Sequence, residues 1–326
     1  MRLVQFETHD GDRLVAVSDQ AKNYLQVING VRSTYELAKE ATDAEVSLES
    51  LVLNRLNDKR ISYEQLLADQ LILPPIDHPD PAHCLVTGTG LSHLGSAQAR
   101  NEMHTKLKDA NENLTDSMKM FKLGIEGGKP DSGQIGVQPE WFWKGDGSIL
   151  VGCGRTLTNP SFAKDGGEEA EIAGIYIIGN DRKPYRLGFA LANEFSDHVT
   201  EKQNYLYLAH SKLRPCALGP ELRLGPLPNS VQGVIRVRRG NQIIWNGEML
   251  SGEENMSHSI ANLEHHKIPE VEDCCGSRMI RSPSPSRLNP STVSTIATPG
   301  KNMRVGALSS KGWDSCRSRP HEAVGG

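Results

Sequence analysis

The sequence predicts an α+β fold, and three observations carry that prediction. The first 75 residues combine a hairpin pattern with two helix-start signatures. Beyond residue 136 the chain breaks into many short apolar stretches separated by Gly, Pro, Asn and Asp, the mark of closely spaced strands. Near residue 267 the composition changes, and Ser, Pro, Arg and Gly dominate from there on. The expected organisation is a small α+β module over 1–75, a β-rich domain with sandwich or barrel-like packing over 76–266, and a largely disordered tail over 267–326.

Each element has a local reason. "RLVQFETHDGDRLVAVS" alternates apolar and polar residues on both sides of Asp10-Gly11-Asp12, which predicts two strands joined by a turn. Ser33 with Glu36, and Ser62 with Gln65, stand in capping-box spacing and predict helix starts. "LILPPIDHPDPAH" interrupts regular structure with four prolines and reads as a linker. "CLVTGTGLSHLGSA" is a short strand running into a glycine turn, and Ser96 to Lys122 is a polar, helix-permissive excursion at the surface. Strands are then expected in "SILVGCG", "IAGIYIIG", "RLGFALANEF" and "GVIRVRRGNQIIWNG".

Composition narrows the function. At 326 residues and 37% hydrophobic content the chain buries one large core or two modest ones, as a globular enzyme does. A formal net charge of −4 gives no general attraction to nucleic acid or anionic membranes, and neither is expected as a partner. "MRLVQFETHDGDRLVAV" lacks a basic segment followed by an apolar core, and no apolar run approaches the ~20 residues that span a bilayer. A cytoplasmic location is the expectation. The six cysteines include no C-x-x-C, so neither a thiolate zinc site nor a disulfide framework is indicated, and Cys84, Cys153 and Cys216 are expected as reduced thiols.

The stretch "GGEEAEIAGIYIIG" raises a chemical question, because three glutamates lead directly into an apolar strand. On a strand Glu169 and Glu171 point to one face and Ala170 to the other. Two carboxylates on one face repel unless a hard divalent cation such as Mg²⁺, Mn²⁺ or Ca²⁺ lies between them. An isolated E-x-E is more often a solvated strand entrance. A third carboxylate is available in Glu194, at the end of the apolar "LGFALANEF", with Asp197 just beyond; Glu168 is expected to face the other way into solvent.

Four stretches in order, "QPEWFWKGDGSILVGCGRTLTNP", "EEAEIAGIYII", "GFALANEFSDH" and "SKLRPCALGPEL", resemble the fumarylacetoacetate hydrolase superfamily in motif and spacing, over about Cys84 to Leu263. The run from Glu194 through "NYLYLAHSK" to "LGPEL" is most similar to its sugar-acid branch, the 2-keto-3-deoxy-arabinonate dehydratases and AraD-type or GguC-like proteins. The resemblance implies a mixed β-roll with Mg²⁺ or a similar ion on Glu169, Glu171 and Glu194, the last where the family usually has Asp. It implies that Lys144 of "PEWFWK" and Lys212 of "HSK" are catalytic, that Gly219-Pro220 form the following turn, and that the chain is a homodimer. In place of the family's G-x-N-Y-x-x-H segment, whose histidine activates water, stands "GLSHLGS" with Ser92, His93 and Ser96. That departure weakens a hydrolase.

The reaction these implications favour is dehydration of a 2-keto-3-deoxy sugar acid, a pentonate first, by a metal-dependent hydro-lyase. Lys212 would act as a base of depressed pKa or, as an ammonium, stabilise an enolate. A carbon–carbon hydrolase or decarboxylase shares the same metal set. A catalytically impaired protein is the third reading, because after "NLEHH" the superfamily continues into closing strands, whereas this chain runs into "KIPEVEDCCGSRMIRSPSPSR". The shift looks like an altered reading frame, with a basic regulatory tail as the alternative.

Overall fold

The computed structural model of the protein describes residues 1–19, 21, 23–90, 92, 94, 116–181 and 183–267, and the backbone strands 291–296, 308–310 and 313–314. The N-terminal hairpin forms as the alternation predicts: β1 (Arg2–Glu7) pairs antiparallel with β2 (Arg13–Ser18), Leu3 facing Val17 and Glu7 facing Arg13. Gly11 turns the chain at φ +84°, a conformation that side-chain-bearing residues rarely adopt. β3 (Tyr24–Ile28) and β4 (Leu56–Ser62) extend the same sheet. Both capping signatures are realised. The Ser33 hydroxyl accepts from Glu36 N ahead of the helix Thr34–Asp43, and the Ser62 hydroxyl accepts from Gln65 N ahead of the helix Tyr63–Ala68.

The rest of the sheet comes from β5 (Cys84–Thr89), β6 (Phe142–Asp146), β7 (Leu150–Val151), β8 (Ala170–Ile178), β9 (Pro184–Asn193) and β10 (Cys216–Leu224). β11 (Val231–Arg239) and β12 (Gln242–Ser251) form a hairpin belonging to a second, smaller sheet. Among the described residues, β13 (Ser291–Ile296) completes an 11-stranded sheet ordered β4-β3-β2-β1-β10-β9-β8-β13-β5-β6, with β7 beside β10. β14 (Leu308–Ser310) and β15 (Trp313–Asp314) extend the hairpin into a four-stranded sheet. The mixed α+β architecture expected from the sequence is therefore the one observed.

Three differences have physical causes. β13 lies in the stretch expected to be without strands. "STVSTI" is rich in β-branched residues, which suit a pleated surface, and it runs parallel to β5 and antiparallel to β8. Apart from Lys267, β13, β14 and β15, the tail lies outside the described residues, as does the expected excursion from Ser96 to residue 115; a helix is described at Asp116–Gly127. Cys84 and Cys216 are free and buried as expected, but Cys153 is disulfide-bonded and not a reduced thiol. Gly219-Pro220 is not a turn between elements. Its cis peptide sits inside β10, where the pairing with β9 slips between Leu218 and Leu222.

The main core lies where the helices Thr34–Asp43 and Leu48–Arg55 cover one face of the sheet, with Leu37, Val52, Ile175, Ile177, Leu218 and Leu222 among its members. A separate cluster of Ile172, Phe189, Ile235, Met249, Met256, Ile260 and Leu263 packs the hairpin and the helix 260–267 against β8 and β9. Each fully buried side chain of this kind contributes about 1.5–3 kcal/mol. The second cluster fixes helix 260–267 beside the carboxylate-bearing ends of β8 and β9. No helix among the described residues is long and apolar enough to cross a membrane.

Candidate metal centre

β8 and β9 are neighbours, with Ala170 opposite Asn193 and Glu171 opposite Ala192. One step beyond the ladder, Glu194 N donates to Glu169 O at 2.8 Å. That register brings three carboxylates to one place. Oxygens of Glu169, Glu171 and Glu194 all lie within 4.8 Å of one another, and the three residues are 5%, 2% and 0% exposed. Glu168 is half-buried and takes a hydrogen bond from Asn193 Nδ2 instead of facing solvent. Asp197 also turns away: it caps the helix His198–Glu201 by accepting from Thr200 N and pairs with Arg214 at 3.2 Å.

The two lysines named from sequence reach the same place from different elements. Lys144, on β6, is 1% exposed. Its Nζ donates to Phe195 O at 2.8 Å and to Lys212 O at 2.9 Å, and stands 4.0 Å from Glu194 Oε1. Lys212 ends the helix Leu208–Lys212 and donates to both oxygens of Glu169, at 2.7 and 2.8 Å. Its Nζ lies 5.4 Å from the centre of the Phe142 ring, a cation–π contact.

Three further residues complete the surroundings. His198 Nε2 is 2.7 Å from Glu169 Oε1, with Nδ1 turned toward Asp165 at 3.9 Å. Glu201 Oε2 stands 3.7 Å from Lys212 Nζ. Lys267, the last residue of helix 260–267, is 2% exposed and acts electrostatically on Glu194. His198 stands four residues after Glu194 in "EFSDH", where nearness to an acid was the one signal for it; Glu201 and Lys267 had none. His93 lies outside the described residues.

Charge explains the protonation tendencies. Burial works against ionisation of Glu169, but Lys212 and the His198 hydrogen bond outweigh it and hold the carboxyl below its ordinary range. Burial pushes Glu194 up, and Lys212 and Lys144 only partly offset that. Burial also pulls Lys144 down, against the attraction of Glu194. Lys212 goes the other way. Burial lowers it, but Glu169, Glu194 and Glu201 together raise it above the ordinary lysine value. These neighbouring carboxylates favour the ammonium form of Lys212 over the depressed pKa that a base at neutral pH needs.

The carboxylates fit a divalent cation. Neither oxygen of Glu194 accepts a hydrogen bond from a described residue, although both are buried. A buried carboxylate left so is costly unless a cation satisfies it. An all-oxygen donor set suits a hard ion.

The fold that carries this acid cluster at the end of the β8–β9 pair is shared with several solved enzyme structures. Among solved structures the chain is similar to 2-keto-3-deoxy-D-arabinonate dehydratase in its apo form, at TM-score 0.65 and 17% identity over 98% of each chain. It is similar to the same dehydratase complexed with magnesium and 2,5-dioxopentanoate, at TM-score 0.62 and 17% identity, again over 98% of each. The likeness to 5-carboxymethyl-2-hydroxymuconate delta-isomerase from Mycobacterium smegmatis has TM-score 0.54 at 15% identity, over 98% of each chain. No family model and no curated protein matches the chain.

Proposed function

We propose that the protein is a metal-dependent hydro-lyase of the superfamily's sugar-acid branch, acting in the cytoplasm on a 2-keto-3-deoxy sugar acid, a pentonate first. The observation that carries this reading is Glu194, buried with neither oxygen hydrogen-bonded by a described residue, beside Glu169 and Glu171. Those three residues would hold Mg²⁺, or Mn²⁺ or Ca²⁺ in its place. Such an ion, when bound, supplies Lewis-acid polarisation of a carbonyl oxygen.

The chain's own groups do the rest. Lys212, paired with Glu169, would set an ammonium beside the oxyanion character that develops on the substrate and so lower the barrier to enolisation. Lys144 ties the main chain at Phe195 to that at Lys212, so it positions the lysine instead of touching substrate. His198 orients Glu169 through its hydrogen bond, as partners of metal-binding carboxylates do. In the reaction the C3 proton and the C4 hydroxyl leave together as one water. The greater likeness to the dehydratase structures than to the delta-isomerase supports this choice over isomerisation.

The test is an assay of purified protein with Mg²⁺ against 2-keto-3-deoxy pentonates and hexonates, with acylpyruvates alongside. Metal-stimulated loss of water from a sugar acid is expected, and Glu171→Gln should remove at least about 100-fold of it while the protein stays folded. Turnover of acylpyruvates alone would replace the reading by a carbon–carbon hydrolase. Inactivity on the whole panel would leave the impaired protein.

A further inference from the structure

Two sets of metal-competent side chains share Glu169. One is Glu169, Glu171 and Glu194; the other is Glu169, His198 and Glu201, again with ligand atoms within 4.8 Å of one another. The second set already holds a cation, the Lys212 ammonium, which lies 2.7 Å from Glu169 Oε1 and 3.7 Å from Glu201 Oε2. We propose that Glu201 is a second seat for this ammonium, occupied when the acid triad carries a divalent cation. The proposal rests on the metal-dependent reading above.

Three features of the geometry support it. Oε1 of Glu169 is engaged by His198 and Lys212 and Oε2 by Lys212, so the lysine competes with a divalent cation for this carboxylate while it keeps its present hold. A divalent ion and an ammonium sharing one buried carboxylate repel strongly where the dielectric is low. Glu201 Oε2 is buried and accepts no hydrogen bond from a described residue, yet it faces the ammonium from just beyond hydrogen-bond distance. A lysine stem has four carbons and rotates freely enough for a displacement of about 1 Å to exchange one acceptor for the other. Glu201 is then a positioning residue. It draws Lys212 off Glu169 and so eases the competition for that ligand.

The deciding experiment is calorimetric titration of Mn²⁺ into four full-length proteins: wild type, Glu201→Gln, Lys212→Met and the double variant. Lys212→Met should bind Mn²⁺ more tightly than wild type, because the competing cation is gone. Glu201→Gln should bind about tenfold more weakly than wild type, since the ammonium then has no seat but Glu169, and should change affinity by less than about threefold in the Lys212→Met background. Equal weakening in both backgrounds would make Glu201 a ligand or a distant field and overturn the proposal. So would unchanged affinity in the single Glu201→Gln variant, which keeps Lys212 and stands even if the lysine variants fold poorly. No Mn²⁺ binding by wild type or any variant would instead sink the metal-dependent reading, and this inference with it.

Discussion

The Lys212–Glu169 contact decides what a substitution at Lys212 does to the protein. A buried ion pair that loses one partner leaves the other charge uncompensated, at a typical cost of about 3–5 kcal/mol. Lys212 and Glu169 are 4% and 5% exposed, so Lys212→Met should melt well below wild type in metal-free buffer, not merely lose turnover. Added Mg²⁺ should return most of the lost melting temperature, because a divalent cation compensates the same carboxylates. Melting curves with chelator and with Mg²⁺ check this; a variant as stable as wild type in chelator would show that the pair contributes nothing to the fold. The carboxylates themselves were legible in the sequence for a local reason. Glu169 and Glu171 share a face because a strand has period 2, whereas Glu194 was visible only as an acid at the end of an apolar strand, with motif order to join it to the pair. The charge state of Lys212 was not legible, since it depends on Glu201 and Glu169 arriving from separate segments.

At the level of elements, a bridge between Gly167 and Ser196 ties the segment before β8 to the segment after β9, with Gly167 N donating to Ser196 O at 2.7 Å and Ser196 N to Gly167 O at 2.8 Å. A Cβ on Gly167 would stand 2.2 Å from His198 Nδ1. Gly167→Ala should therefore push the imidazole off Glu169 and destabilise by about 1–3 kcal/mol, the usual range for overpacking. His198→Ala in the same protein opens the space, so the double variant should melt higher than Gly167→Ala alone; no recovery would mean the strain lies elsewhere. Element prediction succeeded where signals were contiguous, as at Ser33 and Ser62, whose hydroxyls cap the helices that follow. It failed at β13, where the β-branched residues of "STVSTI" lie among Ser and Pro and their partners β5 and β8 come from far earlier in the chain. The helix His198–Glu201 is only four residues long, too short for any periodicity to announce it.

Over the whole molecule, stability couples to pH through a histidine remote from the carboxylates. His258 is 3% exposed, close to Asn262 Nδ2 at 3.2 Å, and burial, with His266 adding to it, lowers its pKa from 6.5 to about 4. The unfolded chain therefore binds a proton between those values that the folded chain refuses. Stability from this group is fully present above pH 6.5 and is lost as pH falls toward 4, with a slope of at most about 1.4 kcal/mol per pH unit. His258→Gln should flatten that part of the profile in urea titrations at successive pH values, and an unaltered slope would assign it to other groups. Helix 260–267 links this histidine to the site, since Ile260 and Leu263 anchor it in the hairpin core and its last residue, Lys267, acts on Glu194. A composition shift drew the eye to Lys267 as a boundary, and so concealed it as part of the folded interior.

The burial of Lys144, Lys212 and Lys267 also has a chemical consequence. Amine-reactive reagents need an accessible, unprotonated nitrogen, and these three side chains are 1%, 4% and 2% exposed as residues, while the Lys183 side chain is 76% exposed. Under native conditions acylation should mark surface lysines such as Lys183 and pass over the three interior ones. Their labelling on gentle denaturation would then timestamp the opening of the interior, each reporting from a different element: β6 for Lys144, the helix Leu208–Lys212 for Lys212 and helix 260–267 for Lys267.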